Sequence, residues 1–339
     1  MTLTILTRGL LAAGLLLAAA GAHAATAATP QPVTLGGIIH PDSDDTLAFT
    51  PDGSTVFFDR SAGQRKIIMV SHKVDGRWSQ PEVASFSGHW FDQDPVMAPD
   101  GSYLLFDSDR PPTPGGKPLT QDYFVGGQAP GSNIWRVDRK GKAWGKPVWL
   151  GAVVNSDAFV DFASITADGS LYFIRWDRQA KVMHTWHAVW RNGHYLPPVR
   201  AGLGDPAVST HDPAAAPDQS FIVFDYGKTK GGLGRLCIAF REGDHWGKPI
   251  DLGAAVNKDL PWGSHIAPDG RSVYFTGQTG IWRLDLQPWL QQHGACSLAV
   301  APAARRSSGP AASGCEFPLH LFHDSGIMEL WKRPMPLPR

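Results

Sequence analysis

A short turn signal recurs five times along this chain, each time between two strand-like segments. The copies are Pro51-Asp52-Gly53, Pro99-Asp100-Gly101, Ala167-Asp168-Gly169, Pro217-Asp218-Gln219 and Pro268-Asp269-Gly270. Proline presets φ, Asp satisfies nearby backbone groups and Gly takes the left-handed position. An aromatic recurs six residues after four of the five Asp residues, as Phe58, Phe106, Phe224 and Phe275. In the third copy the matching Phe173 comes one residue earlier. A fixed turn feeding a fixed hydrophobic strand, at a spacing of about fifty residues, marks a radial repeat.

Each repeat parses into four strands rich in β-branched and aromatic residues. In the first these are 46–50, 55–59, 66–71 and 81–86. A second turn recurs before the last strand and runs from Trp78 to Pro81, Trp144 to Pro147 and Trp246 to Pro249, with Tyr195 before Pro197 in the remaining copy. The strand after that turn is present at 83–86, 148–151, 199–202 and 250–253, which is one copy too few for five repeats. The missing piece sits near the N-terminus. Pro32-Val33-Thr34-Leu35-Gly36 resembles Pro249-Ile250-Asp251-Leu252-Gly253. The chain is therefore expected to be all-β, a five-bladed β-propeller over 31–290 whose N-terminal strand closes the last blade; six blades is the alternative count. Closure of this kind removes exposed sheet edges.

Composition agrees with many short strands joined by turns: 37 Gly, 28 Pro and only 18% charged residues. Lys plus Arg equals Asp plus Glu, 31 against 31, so nothing in the net charge points to nucleic acid or an anionic membrane. Residues 1–24 read as a secretory signal, with Arg8, an apolar run from Gly9 to Ala20 and an Ala22-His23-Ala24 cleavage pattern. That run is too short to span a bilayer. A bacterial periplasmic or secreted location is expected, for a monomer. Residues 111–132 form a Pro/Gly-rich insertion in the second repeat, and 291–339 a low-complexity tail. An oxidising compartment would permit a Cys296–Cys315 bridge there, while Cys237 lies in an apolar run and reads as a buried thiol.

The Pro-Asp-Gly turn, the aromatic strand after it and the Gly-x-Trp-x-x-Pro hairpin together resemble the WD40-like repeats of TolB-type propellers. The resemblance implies the propeller fold and, for TolB itself, binding of envelope partners. It also implies an acidic residue eight positions before the turn Asp. Here that place holds Asp44 and Asp92, then Val160, Thr210 and Pro261.

In a propeller the loops entering each blade converge over one channel mouth. Those loops carry Asp45, Asp92, Asp94, Asp161, His211, Asp212 and Trp262, and the loops between second and third strands add Arg60 and Arg110. These nine are the candidate ligand-binding residues. An acidic centre inside a more basic rim suits a polar ligand. Ca2+ is the one cofactor the residues suggest, because five loops could supply hard oxygen ligands, although no contiguous calcium loop is present. The histidines share no ligand spacing, so no other metal is indicated. No catalytic residue is assigned. The chain has four Glu, at 82, 242, 316 and 329, none expected at this mouth, and no nucleophile elbow. Trp78, Trp144 and Trp246 share one repeat position and are expected to pack between blades. Trp90, Trp176 and Trp262 do not, and are the stacking candidates at the mouth. The expected function is an exported, non-enzymatic binding or scaffold module for an envelope protein, peptide or glycan. The alternative is a carbohydrate-active hydrolase or lyase using an Asp pair on the same face.

Overall fold

The computed structural model describes residues 28–122, 128–227 and 234–294. The expected signal segment and the tail beyond 294, with Cys296 and Cys315, lie outside the described residues.

Five antiparallel sheets form a five-bladed β-propeller. The first, innermost strands are Asp44–Phe49, Val160–Ile165 and Thr210–Ala215 in blades one, three and four, with Asp92–Met97 in blade two and Trp262–Ile266 in blade five. Each runs into its turn and returns as the second strand. In every turn the residue after Asp has positive φ: Gly53, Gly101, Gly169, Gly270 and, in the fourth, Gln219. The Asp carboxylate accepts the backbone N–H two residues on, as Asp52 does from Ser54 at 3.1 Å, so the turn is fastened at both ends.

The ring closes as expected. Gln31–Pro32 pairs antiparallel with the third strand of blade five, Gln31 opposite Arg283, and Val33 N–H donates to the Ile281 carbonyl at 2.8 Å. The strand is shorter than 32–36, because the chain turns into a 3-10 segment at Leu35–Gly37 where Gly36 has φ 71°. The other outer strands are also reduced to two residues each, such as Val148–Trp149 and Ile250–Asp251. Positive-φ glycines at 151, 202 and 253 stop three of the four.

Most of the core lies between blades. Phe57 of blade one meets Trp144 of blade two edge-on, with ring centroids 5.2 Å apart. Trp78 packs with Phe49 and Tyr274 at the junction of blades one and five, and Trp246 packs against Tyr172 between blades three and four. Tyr195 takes the same part between blades two and three. Among the described residues blade five has no such hairpin. A short helix that sequence patterning did not indicate, Gln287–Gln292, instead brings Trp289 and Leu290 into the junction of blades four and five. The insertion in blade two contributes a small hairpin, Thr120–Asp122 with Gln128–Pro130. Cys237 is a buried free thiol, 4% exposed. No helix among the described residues is long and apolar enough to cross a membrane.

Candidate functional site: an acid-lined channel mouth

All five innermost strands carry a β-bulge at the same place, between Asp45 and Leu47, Gln93 and Val96, Asp161 and Ser164, His211 and Ala214, and Trp262 and His265. The extra residue has positive φ in each: Thr46 39°, Asp94 48°, Phe162 51°, Asp212 46° and Gly263 60°. Such a conformation costs a non-glycine residue about 1–3 kcal/mol, so neighbouring structure has to hold it. A bulge re-aims side chains. Here it sets two residues per blade at one level of the channel, in the half away from the Pro-Asp-Gly turns.

The second strands supply the matching residues. Alternation along a strand places successive side chains on opposite faces. In each blade the recurrent Phe packs toward the preceding blade, so the next residue faces the following one. That next residue is Asp59, Asp107, Ile174, Asp225 or Thr276. Phe162 N–H of blade three donates to Asp107 Oδ2 of blade two at 2.7 Å. Thr46 N–H of blade one donates to Thr276 Oγ1 of blade five at 3.3 Å. Between blades four and five the bulge residue itself does this work, Gly263 N–H donating to Asp212 Oδ2 at 2.8 Å.

The result is a buried ring of carboxylates with uneven compensation. On the blade-one side Lys66 Nζ lies 2.6 Å from Asp45 Oδ2 and 2.9 Å from Asp59 Oδ2, and Thr46 Oγ1 donates to Asp59 Oδ1 at 2.9 Å. Burial works against the Lys66 charge, but Asp59, Asp45 and Asp94 together raise its pKa. On the other side Asp94, Asp107 and Asp161 each offer an oxygen within 4.8 Å of the others, and all three are buried. Among the described residues no Lys or Arg forms an ion pair with any of them. Two ionised carboxylates at such a separation repel by about 3 kcal/mol at an effective dielectric constant near 20. Burial, then the Asp59 charge, pushes the Asp94 carboxyl well above its usual range; burial, then Asp161, does the same for Asp107. Asp212 is raised to about 7, mainly by burial. Asp225 is raised well above the carboxylate range by burial and then by Asp212.

The candidate residues therefore separate into two groups. Asp45, Asp94, Asp161, Asp212, His211 and Trp262 occupy the bulge level around the channel. His211 is half-buried, and enclosure plus the neighbouring His184 lower its pKa to about 4, so the ring is neutral. Asp92, Arg60 and Arg110 are committed elsewhere. Arg110 Nη2 lies 2.7 Å from Asp92 Oδ1, and Ser87 and Ser108 hydroxyls donate to the same carboxylate. Arg60 makes a two-pronged pair with Asp44, at 2.6 and 2.7 Å. These pairs tie the strand start to the second strand, and they give the acidic position eight residues before the turn a structural part in blades one and two. In blade three Val160 replaces that acid, and Arg175 turns to the Val153 and Val154 carbonyls instead.

Asp59, Asp107 and Asp225 were not among the sequence candidates. Their signal was present as a Phe-Asp pair in three of five repeats, one residue past the aromatic used to align them. Beside the acids, blade three carries an apolar and aromatic cluster, with Phe162, the neighbour of Asp161, and Trp176 packed on Phe159, Ile174 and Met183. Trp90 stands outside this cluster against His89. The far end of the channel, beneath the turns, is an apolar funnel of about 70 Å³, lined by Val96, Ile165, Ile266 and the buried His265.

Fold and site thus define a five-bladed propeller with an acid-lined channel mouth. No family model matches the sequence, and no curated protein matches it. Solved structures similar to it include a TolB candidate from Agrobacterium tumefaciens, 17% identical over 70% of each chain, TM-score 0.45. Another is TolB from Acinetobacter baumannii, 16% identical over 72% of this chain and 43% of that one, TM-score 0.37. A gluconolactonase from Xanthomonas campestris is 12% identical over 76% of this chain and 94% of its own, TM-score 0.41.

Proposed function

We propose that this protein is an exported binding module that takes a glycan across the channel mouth. The observation that carries this reading is the juxtaposition of buried carboxylates from three blades with aromatic side chains. Carboxylates accept hydrogen bonds from clustered hydroxyls, and aromatic faces cover the apolar side of a sugar ring. Asp94, Asp161 and Asp212 are the acceptors in this account, with Phe162 and Trp176 of blade three and Trp262 of blade five as the aromatic faces. A rigid ring presenting one or two side chains per blade is suited to multivalent contact of this type.

Hydrolysis is less well supported. Glycosidases use two opposed carboxyl groups about 5–5.5 Å or about 6.5–9.5 Å apart. Here three acids, Asp94, Asp107 and Asp161, gather instead, with oxygens within 4.8 Å. The test is a glycan array with the mature protein, followed by titration of any hit into Trp262→Ala and Asp212→Asn. Binding weakened at least tenfold by both changes supports the reading. A hit insensitive to both, or an array that is blank while a basic peptide library binds, overturns it.

A further inference from the structure

We propose that Asp94, Asp107 and Asp161 form a site for a hard divalent cation of the Ca2+ class at the floor of the channel mouth. One oxygen from each lies within 4.8 Å of the other two. Oxygens bound to a common Ca2+ at about 2.3–2.6 Å sit at most about 5 Å apart, so the spacing of the three is compatible with one shared ion. Asp107 supplies the independent sign of a missing ligand. It is 0% exposed, and among the described residues its Oδ1 has no hydrogen-bond donor, only the Asp161 carboxyl within reach of Asp107, while Oδ2 is held by Phe162 N–H. A buried polar atom left without a partner is costly and calls for a reason, and a bound cation supplies one here. Asp161 is held in the same way on one oxygen, Oδ1 accepting from Ser132 Oγ at 2.7 Å.

Blade one shows how the fold compensates the same arrangement when it uses a side chain. There Lys66 bridges Asp45 and Asp59. Blades two and three carry the acids without an equivalent Lys. Three carboxylates with no Cys or His in the group select a hard cation over zinc or copper. The remaining coordination positions would be taken by water, or by hydroxyls of a ligand above the ion. The inference shares its location with the glycan reading, but the metal alone tests it.

The experiment strips the mature protein with EDTA and titrates CaCl2, with MgCl2 and ZnCl2 in parallel, by calorimetry and thermal unfolding. Wild type is expected to bind one Ca2+ per chain saturably. At a hundredfold excess over Kd the midpoint should rise by roughly 5–10 °C. Asp94→Asn and Asp161→Asn should each weaken binding at least tenfold. Asp94 carries the test if Asp161→Asn fails to fold, because among the described residues the Asp94 carboxylate accepts no hydrogen bond that the change would remove, whereas Asp161 Oδ1 accepts from Ser132. The absence of saturable Ca2+ binding in wild type overturns the proposal, with the acids then sharing protons. So does binding that survives in Asp94→Asn. Cation binding without any glycan binding sinks the glycan reading alone.

Discussion

Phe162 donates its backbone N–H to Asp107 Oδ2 at 2.7 Å, across the junction between blades two and three. The bond joins a bulge in one blade to the residue after the recurrent aromatic in the blade before it. It holds Phe162 at φ 51° and at the same time orients the carboxylate toward the channel. Asp107→Ala leaves that amide buried without a partner, whereas Asp107→Asn keeps an acceptor. The Ala variant should be less stable than the Asn variant by about 1–3 kcal/mol in urea unfolding. Equal stabilities would show that the bond does not hold the bulge.

Two ion pairs of similar length should differ widely in worth. Arg110 and Asp92 meet at 2.7 Å with side chains 9% and 0% exposed. Asp92→Ala strands a buried guanidinium and should cost about 3–5 kcal/mol. Arg178 and Asp157 meet at 3.2 Å with side chains 47% and 41% exposed. Asp157→Ala should cost less than about 1 kcal/mol, because water and salt screen that pair. Denaturant midpoints for the two variants decide it.

The helix Gln287–Gln292 completes the fifth blade junction in place of the hairpin Trp. Trp289 is 8% exposed and packs in the cluster of blades four and five. Trp289→Ala should destabilise the whole ring by about 3–5 kcal/mol. Truncation after Asp285 should abolish cooperative unfolding in calorimetry. Survival of a sharp transition in the truncated chain would show the helix to be an accessory.

His265 gives stability a defined pH dependence. It is 8% exposed, its Nε2 has no partner among the described residues, and burial lowers its pKa from 6.5 to about 4. The unfolded chain therefore binds a proton at a pH where the folded chain does not. Stability from this residue is present above about pH 6.5 and is lost as pH falls toward 4. The loss is about 3 kcal/mol from this group. His265→Gln should flatten that part of the stability profile measured by urea unfolding between pH 7 and 4. A profile of unchanged slope would contradict it.

The blade count, the closing strand and the packing part of Trp78, Trp144 and Trp246 were legible along the chain. They depend on local chemistry that repeats: each turn centres on an Asp, with Pro before it or Gly after it, and a buried junction needs an aromatic at a fixed offset. The Phe-Asp pairs were legible in the same way, yet carried no meaning until a direction was known for the second residue. The helix bearing Trp289 was not legible, since six residues are too few to show a period.

By itself the sequence determined an all-β ring of five repeats and which loops converge on one mouth. The five Pro-Asp-Gly turns do this because each imposes the same reversal on two hydrophobic strands. Only the tertiary structure decided which acids face each other. A bulge moves a side chain from one face to another without changing residue order, and the partner of each carboxylate lies a whole blade away. That is how Asp92 became half of a buried ion pair while Asp94, two residues on, joined Asp107 and Asp161 beside the channel.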